Sequence, residues 1–121
     1  MTYGVSREAI PVTIASGQAF STEFPVGGRH IVGIQMPAGW DAAGITFQAL
    51  VRTTAAPEVI TWGSVQDEAG VESVIVTPIA DEYVAITSTK LVGLGRARLR
   101  SGTSGTPVNQ TATRTVIVIV V

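Results

Sequence analysis

Short runs in which apolar and polar residues alternate dominate this chain. Alternation at period two sends successive side chains to opposite faces, the mark of a half-buried β-strand. Ile10–Ile14 alternates in this way, and Ala19–Phe24 does so less cleanly. Gly27-Gly28 marks a turn. Arg29–Met36 then reads as a strand centred on Ile31 and Val32, and Pro37-Ala38-Gly39-Trp40 breaks it. Asp41-Ala42-Ala43 reads as a short helical turn with Asp41 as its N-cap. In the next segment Ile45, Phe47, Ala49 and Val51 share one face. Val59–Val65 is a strand that carries Trp62, and Asp67–Gly70 is a turn. Ser73–Thr77 is a short β-branched run ended by Pro78.

Glu82–Thr87 predicts a further strand, and Ser88–Gly93 a turn or short loop. Over Leu94–Arg100, Gly95, Ala97 and Leu99 take one face while Arg96, Arg98 and Arg100 take the other. Ser101–Gln110 is a polar loop, and Arg114–Val121 is a closing strand, apolar on both faces. Such a strand needs cover on both sides, so it is expected in the middle of a sheet. No segment carries a sustained helical period and no internal repeat is visible. Eight or nine short strands with turn signals about every 8–12 residues predict an antiparallel β-sandwich or jelly roll. The expected division is an N-terminal arm over 1–9 and one sandwich domain over 10–121.

A length of 121 residues suits one core. Charged residues make up 14% of the chain, against about 25% in an ordinary domain. Small uncharged residues fill the difference, which suits either Thr-rich outer sheet faces or a life packed in an assembly. The net charge of −1 hides a split. Residues 58–82 hold Glu58, Asp67, Glu68, Glu72, Asp81 and Glu82 and no base, whereas residues 90–121 hold Lys90, Arg96, Arg98, Arg100 and Arg114 and no acid. The two segments can pair within one fold or between subunits. The whole is too weakly basic to point to nucleic acid. Met1–Ile10 includes Arg7 and Glu8 and has no apolar leader core. The longest apolar run, Val116–Val121, is too short to cross a bilayer as a helix. Synthesis in the cytoplasm and no membrane partner are therefore expected.

Little is available for catalysis. There is no cysteine, and His30 is the only histidine, so neither a thiolate nor a two-histidine metal site can form in one chain. No Gly-x-Ser-x-Gly elbow or Walker motif occurs, and Gly93-Leu94-Gly95 lacks the third glycine of a dinucleotide site. The adjacent carboxylates Asp67-Glu68 and Asp81-Glu82 would point to opposite faces of a strand, so neither pair is a ready acid/base dyad. On a turn they would be solvated or ligate calcium. Asn109-Gln110-Thr111 matches a glycosylation sequon, relevant only to a secreted eukaryotic protein. The reading is a non-enzyme with no metal and no cofactor.

The arginine row carries more information. Side chains two apart on a strand stand about 7 Å apart on one face, so Arg96, Arg98 and Arg100 repel one another unless countered. Three partners are open: the acidic segment of the same chain, a neighbouring subunit, or an anionic ligand. Arginine suits an interface because its planar fork binds carboxylates bidentately. Trp40 and Trp62 are either core plugs or exposed aromatic contacts for a sugar or a partner.

Three blocks form a pattern. They are Ile31-Val32-Gly33-Ile34-Gln35-Met36-Pro37-Ala38-Gly39-Trp40, then Ile45-Thr46-Phe47-Gln48-Ala49, then Leu99–Thr103 with Pro107-Val108-Asn109-Gln110 and Arg114. In that order they resemble a group of small structural proteins of tailed phages, over roughly residues 10–121. The resemblance implies a virion component such as a capsid cement or decoration protein. It would be a homo-oligomer, with a trimer favoured, binding the major capsid protein through Arg96, Arg98, Arg100, Arg114 and Asn109. A second similarity, to discoidin-like carbohydrate-binding jelly rolls, rests on Thr46–Ala49, Trp62 and Ala97–Ser101. It implies a glycan-binding module of a fibre or tail tip. The sequence departs from that pattern at Val51–Thr54 and at Arg96-Ala97, where a turn and an aromatic would fall.

Overall fold

The computed structural model describes residues 7–87, 91 and 93–121. It contains eight strands: β1 (Glu8–Ile14), β2 (Phe24–Pro25), β3 (Ile31–Gln35), β4 (Ile45–Arg52), β5 (Ile60–Ser64), β6 (Tyr83–Ala85), β7 (Arg96–Ser101) and β8 (Arg114–Val120). They form two four-stranded sheets, ordered β1-β8-β3-β6 and β2-β7-β4-β5, with every pairing antiparallel. The first strand pairs with the eighth, the second with the seventh, the third with the sixth and the fourth with the fifth. A long hairpin rolled over on itself gives this order, which is the jelly-roll form of the β-sandwich.

Period-two alternation explains which side chains fill the sandwich. Ile10, Val12 and Ile14 of β1 face inward opposite Val118, Val116 and the start of β8. Ile45 and Phe47 of β4 and Ala97 and Leu99 of β7 come from the other sheet, and all four are buried. Phe24, Ile31, Ile34, Met36 and Trp40 complete the core. β8 lies between β1 and β3, as its two apolar faces require. On its outer face Ile119 pairs with Gly33, and the Tyr83 ring crosses Gly33 so closely that a Cβ there would lie 1.9 Å from the Tyr83 hydroxyl. The missing side chain leaves room for the ring over Gly33, opposite which Ile119 is buried.

Several expectations change. β1 begins at Glu8, which pairs with Val120, so Glu8 and Ala9 belong to the sheet and not to an arm. Residues 1–6 of the expected arm lie outside the described residues. Asp41 caps no helix; its carboxylate is turned toward Thr111 and Arg114 instead. Val51 has the inward parity of β4 but lies beyond the end of the core and is exposed. Ser73–Thr77 forms no strand; Ile75 makes a single bridge to Ile45. Most of the turn expected over Ser88–Gly93 lies outside the described residues.

Candidate functional site: the outer face around Arg98

The register Thr46↔Arg100, Gln48↔Arg98 and Leu50↔Arg96 puts the arginine row on the outer face of the β2-β7-β4-β5 sheet, as its parity predicts. Leu50 pairs in turn with Trp62, and Phe20 bridges to Arg100. The three arginines meet three different environments.

Arg100 keeps only 3% of its surface exposed. Its Nη2 donates to Glu72 Oε2 at 2.6 Å and to Ser64 Oγ at 3.2 Å, and its Nε donates to Thr46 Oγ1 at 3.0 Å. Glu72 is held from its other oxygen by the Ser104 amide at 3.1 Å. A buried guanidinium needs this full set, because an unpaired buried charge is strongly destabilising. Arg96, at the exposed end, pairs with Glu23 at 2.9 Å. Two arginines of the row are therefore countered within the chain. This removes Arg100 from the expected intersubunit contacts, since its charge is spent inside the fold.

Arg98 differs. Its guanidinium carbon lies 4.3 Å from the Phe20 ring centroid and 4.5 Å from that of Trp62, in cation–π contact with both rings. Its Nε donates to Gln48 Oε1 at 2.7 Å. Burial, with a smaller contribution from the charge of Arg100, lowers its pKa below the ordinary arginine value. Among the described residues no carboxylate reaches it. Trp62 is half-exposed on this face, with Leu50 beside it and Ile60 open to solvent.

Arg114 and Trp40 belong to the end of the sandwich. Gln110 is fully buried there. Its Oε1 accepts from the Asp41 amide at 2.9 Å, and its Nε2 donates to Ser101 Oγ at 2.8 Å and to the Asp41 carbonyl at 3.2 Å. Asp41 accepts hydrogen bonds from the Thr111 amide and hydroxyl and pairs with Arg114 at 3.3 Å. These Thr111 hydrogen bonds, with the nearby Arg114 charge, hold the Asp41 carboxyl below the usual aspartate range. Gly39 has φ 70°, and a Cβ there would come 2.8 Å from Arg114 Nη1. Trp40 is a core plug whose indole N–H donates to the Ala43 carbonyl at 3.2 Å. Gly39, Asp41, Ser101, Gln110, Thr111 and Arg114, far apart in sequence, thus meet in one internal network. Of the expected contacts at this end, Asn109 is exposed in its loop, while Arg114 is largely buried in the network.

His30 is exposed, its backbone bridged to Val121. Asp67 folds into its own turn, accepting from the Ala69 and Val71 amides. A cavity of about 310 Å³ is lined mainly by Phe47, Val74, Ile75, Val76 and Leu91, with Glu72 its one carboxylate. That carboxylate is already held by Arg100. Glu72 belongs to the acidic segment expected to counter the arginine row, whereas Phe20 and Gln48, which define the environment of Arg98, carry no such signal. Gln48 could have been found by its place alone, because it sits among the outward positions of β4. Comparison of the chain with family models, with curated proteins and with solved structures finds no match.

Proposed function

We propose that this chain is a non-catalytic building block of a tailed-phage virion, a cement or decoration protein laid on the shell of the major capsid protein. The observation that carries the reading is an open, uncharged sheet edge. Thr53 donates to the Val59 carbonyl and Val65 to the Phe47 carbonyl, so the odd-numbered residues of β5 hydrogen-bond to β4. Hydrogen-bonded pairs alternate in an antiparallel ladder, so the backbone groups of Ile60, Trp62 and Ser64 face outward, with no strand beyond them among the described residues. Sheet edges are ordinarily protected by charge, proline or cover. Here Ile60–Ser64 carries no charge, and Val51, Val59 and Ile60 stand exposed around it. Such an edge suits a protein that works while packed against neighbours. The phage-like sequence blocks give that assembly its identity.

The test is to locate labelled protein on purified virions by electron microscopy. Even cover over the shell is expected, and signal confined to the tail or to sparse projections would overturn the reading. A glycan-binding module of a fibre or tail tip is the second reading, favoured by half-exposed Trp62 beside Arg98 and Gln48 on an open sheet face. It predicts saccharide binding that is lost in Trp62→Ala.

A further inference from the structure

Among the described residues the ion pairs leave Arg98 on one side and Asp81 and Glu82 on the other without a partner, with Arg7 and Glu68 exposed elsewhere. Arg29 pairs with Glu8, Arg52 with Glu58, Arg96 with Glu23, Arg100 with Glu72 and Arg114 with Asp41. Arg98 pairs with no carboxylate among the described residues, although it is half-buried and held on three sides. With two rings against it and Nε taken, its terminal N–H groups remain. Those form the fork that binds a carboxylate edge-on.

On the acidic side, Asp81 and Glu82 are exposed and pair with no cation among the described residues. Four hydrogen bonds hold the backbone of their turn. The Asp81 amide donates to the Pro37 carbonyl at 3.2 Å and the Glu82 amide to the Ile79 carbonyl at 3.2 Å. The Asp81 carbonyl accepts from Gln35 Nε2 at 2.9 Å and the Glu82 carbonyl from the Met36 amide at 2.9 Å. Asp81 sits at φ 66°, a left-handed conformation that a non-glycine residue adopts only at some expense. Exposed apolar side chains flank the turn: Ile79 at 65% and Tyr83 at 45%. The rings of Phe20 and Trp62 lie against Arg98, and Leu50 pairs with Trp62 on the same face. Each patch sets apolar side chains beside charge, and the charges are opposite.

We infer that Arg98 of one copy receives the carboxylates of the Asp81–Glu82 turn of a second copy, in a head-to-tail contact. The two patches lie on different sheets, one on the outer face of β2-β7-β4-β5 and the other beside β6. Repeated head to tail between these two surfaces, the contact is heterologous. Such contacts close into rings when the rotation allows and otherwise build filaments. Aromatic and arginine anchors at the centre of a contact, with the charge desolvated, are the arrangement that carries binding energy in protein interfaces. This inference does not depend on where in a virion the protein sits.

The test is sedimentation velocity of the full chain over a range of concentrations. The wild type should associate, and added salt should weaken the association by screening. Arg98→Glu and Glu82→Arg should each weaken it by about thirty-fold or more, as when one partner of a desolvated pair is lost. Mixing these two variants should restore association, because each then supplies the charge that the other lacks. Asp81→Asn and Glu82→Gln, remote from the stacked rings, should weaken association with unchanged circular dichroism and melting. They keep the test decisive if Arg98→Glu does not fold. A wild type that stays monomeric, including one that binds an acidic saccharide instead, would overturn the inference. So would association indifferent to the turn variants, or two dissociated variants that fail to rescue each other.

Discussion

At the scale of single residues, arginines of one strand do different work according to what stands opposite them. Arg100, Arg98 and Arg96 share a parity, yet burial falls along the row as it runs from the covered centre of the sheet toward its end. Arg100 is a structural ion, Arg98 a clamped one and Arg96 a surface one whose pair with Glu23 contributes about 1 kcal/mol or less. Asp41 shows how a carboxylate can act as an internal fastener. It joins the residue after the Gly39-Trp40 turn to Thr111 and to the first residue of β8. Its depressed pKa fixes the sign of a pH effect. A carboxyl more acidic in the folded than in the unfolded chain contributes stability that is fully present above the unfolded value. That contribution fades as pH falls from about 4 through the folded value. Melting temperatures measured between neutral and acid pH should therefore fall on the acid side. In Asp41→Asn they should start lower at neutral pH and fall less steeply below about pH 4. An identical acid slope in the variant would mean that Asp41 holds nothing in the folded state.

At the scale of elements, local pattern fixes a strand's existence and parity, while pairing fixes what it touches. The alternation of Ile10–Ile14, Ile45–Ala49 and Arg96–Arg100 was legible because each run has one face in the core. Ser73–Thr77 has the same β-branched composition but lacks a partner along its length, and so remains a bridge. The site was legible in its row of arginines, in Trp62 and in the acidic segment as a whole, but not in its individual pairs. Gln48 is 50 residues from Arg98 and Glu72 is 28 from Arg100, and nothing local announces such pairs. The loop after β7 shows the opposite case, where local chemistry is decisive. Gly102 has φ 89°, and a Cβ there would lie 2.3 Å from the Thr106 carbonyl oxygen and 2.8 Å from the Val108 nitrogen. Both neighbours are backbone and cannot swing aside. Gly102→Ala should destabilise the fold by about 2 kcal/mol or more, combining left-handed strain with the clash. Denaturant unfolding would measure it, and a loss below about 0.5 kcal/mol, the usual range of surface changes, would show that the loop relaxes freely.

At the scale of the whole molecule, the jelly roll makes the last strand the keystone of the first sheet. β8 is hydrogen-bonded to β1 along seven residue pairs and to β3 along four. Val116, Val118 and Val120 deliver its inner face to the core. The register ties Glu8 to Val120, nearly the full length of the described chain, so closure of this sheet waits on the most distant contacts. Loop-closure entropy must be met before such contacts give any return, which places folding in the slow range of milliseconds to seconds expected of β-sandwiches. A chain ending at Ala112 keeps β1 to β7 but loses two of the three ladders of the first sheet and the Arg114 anchor. It leaves β1 with no neighbour in its sheet and exposes Ile10, Val12 and Ile14. Buried apolar side chains of this kind contribute about 1.5–3 kcal/mol each, and a domain's whole stability is only about 5–15 kcal/mol. The shortened chain should therefore lack a cooperative melt and the dispersed amide signals of a folded β-protein in NMR spectra. If it melted cooperatively instead, the β2-β7-β4-β5 sheet would have to be stable without the sheet packed across from it.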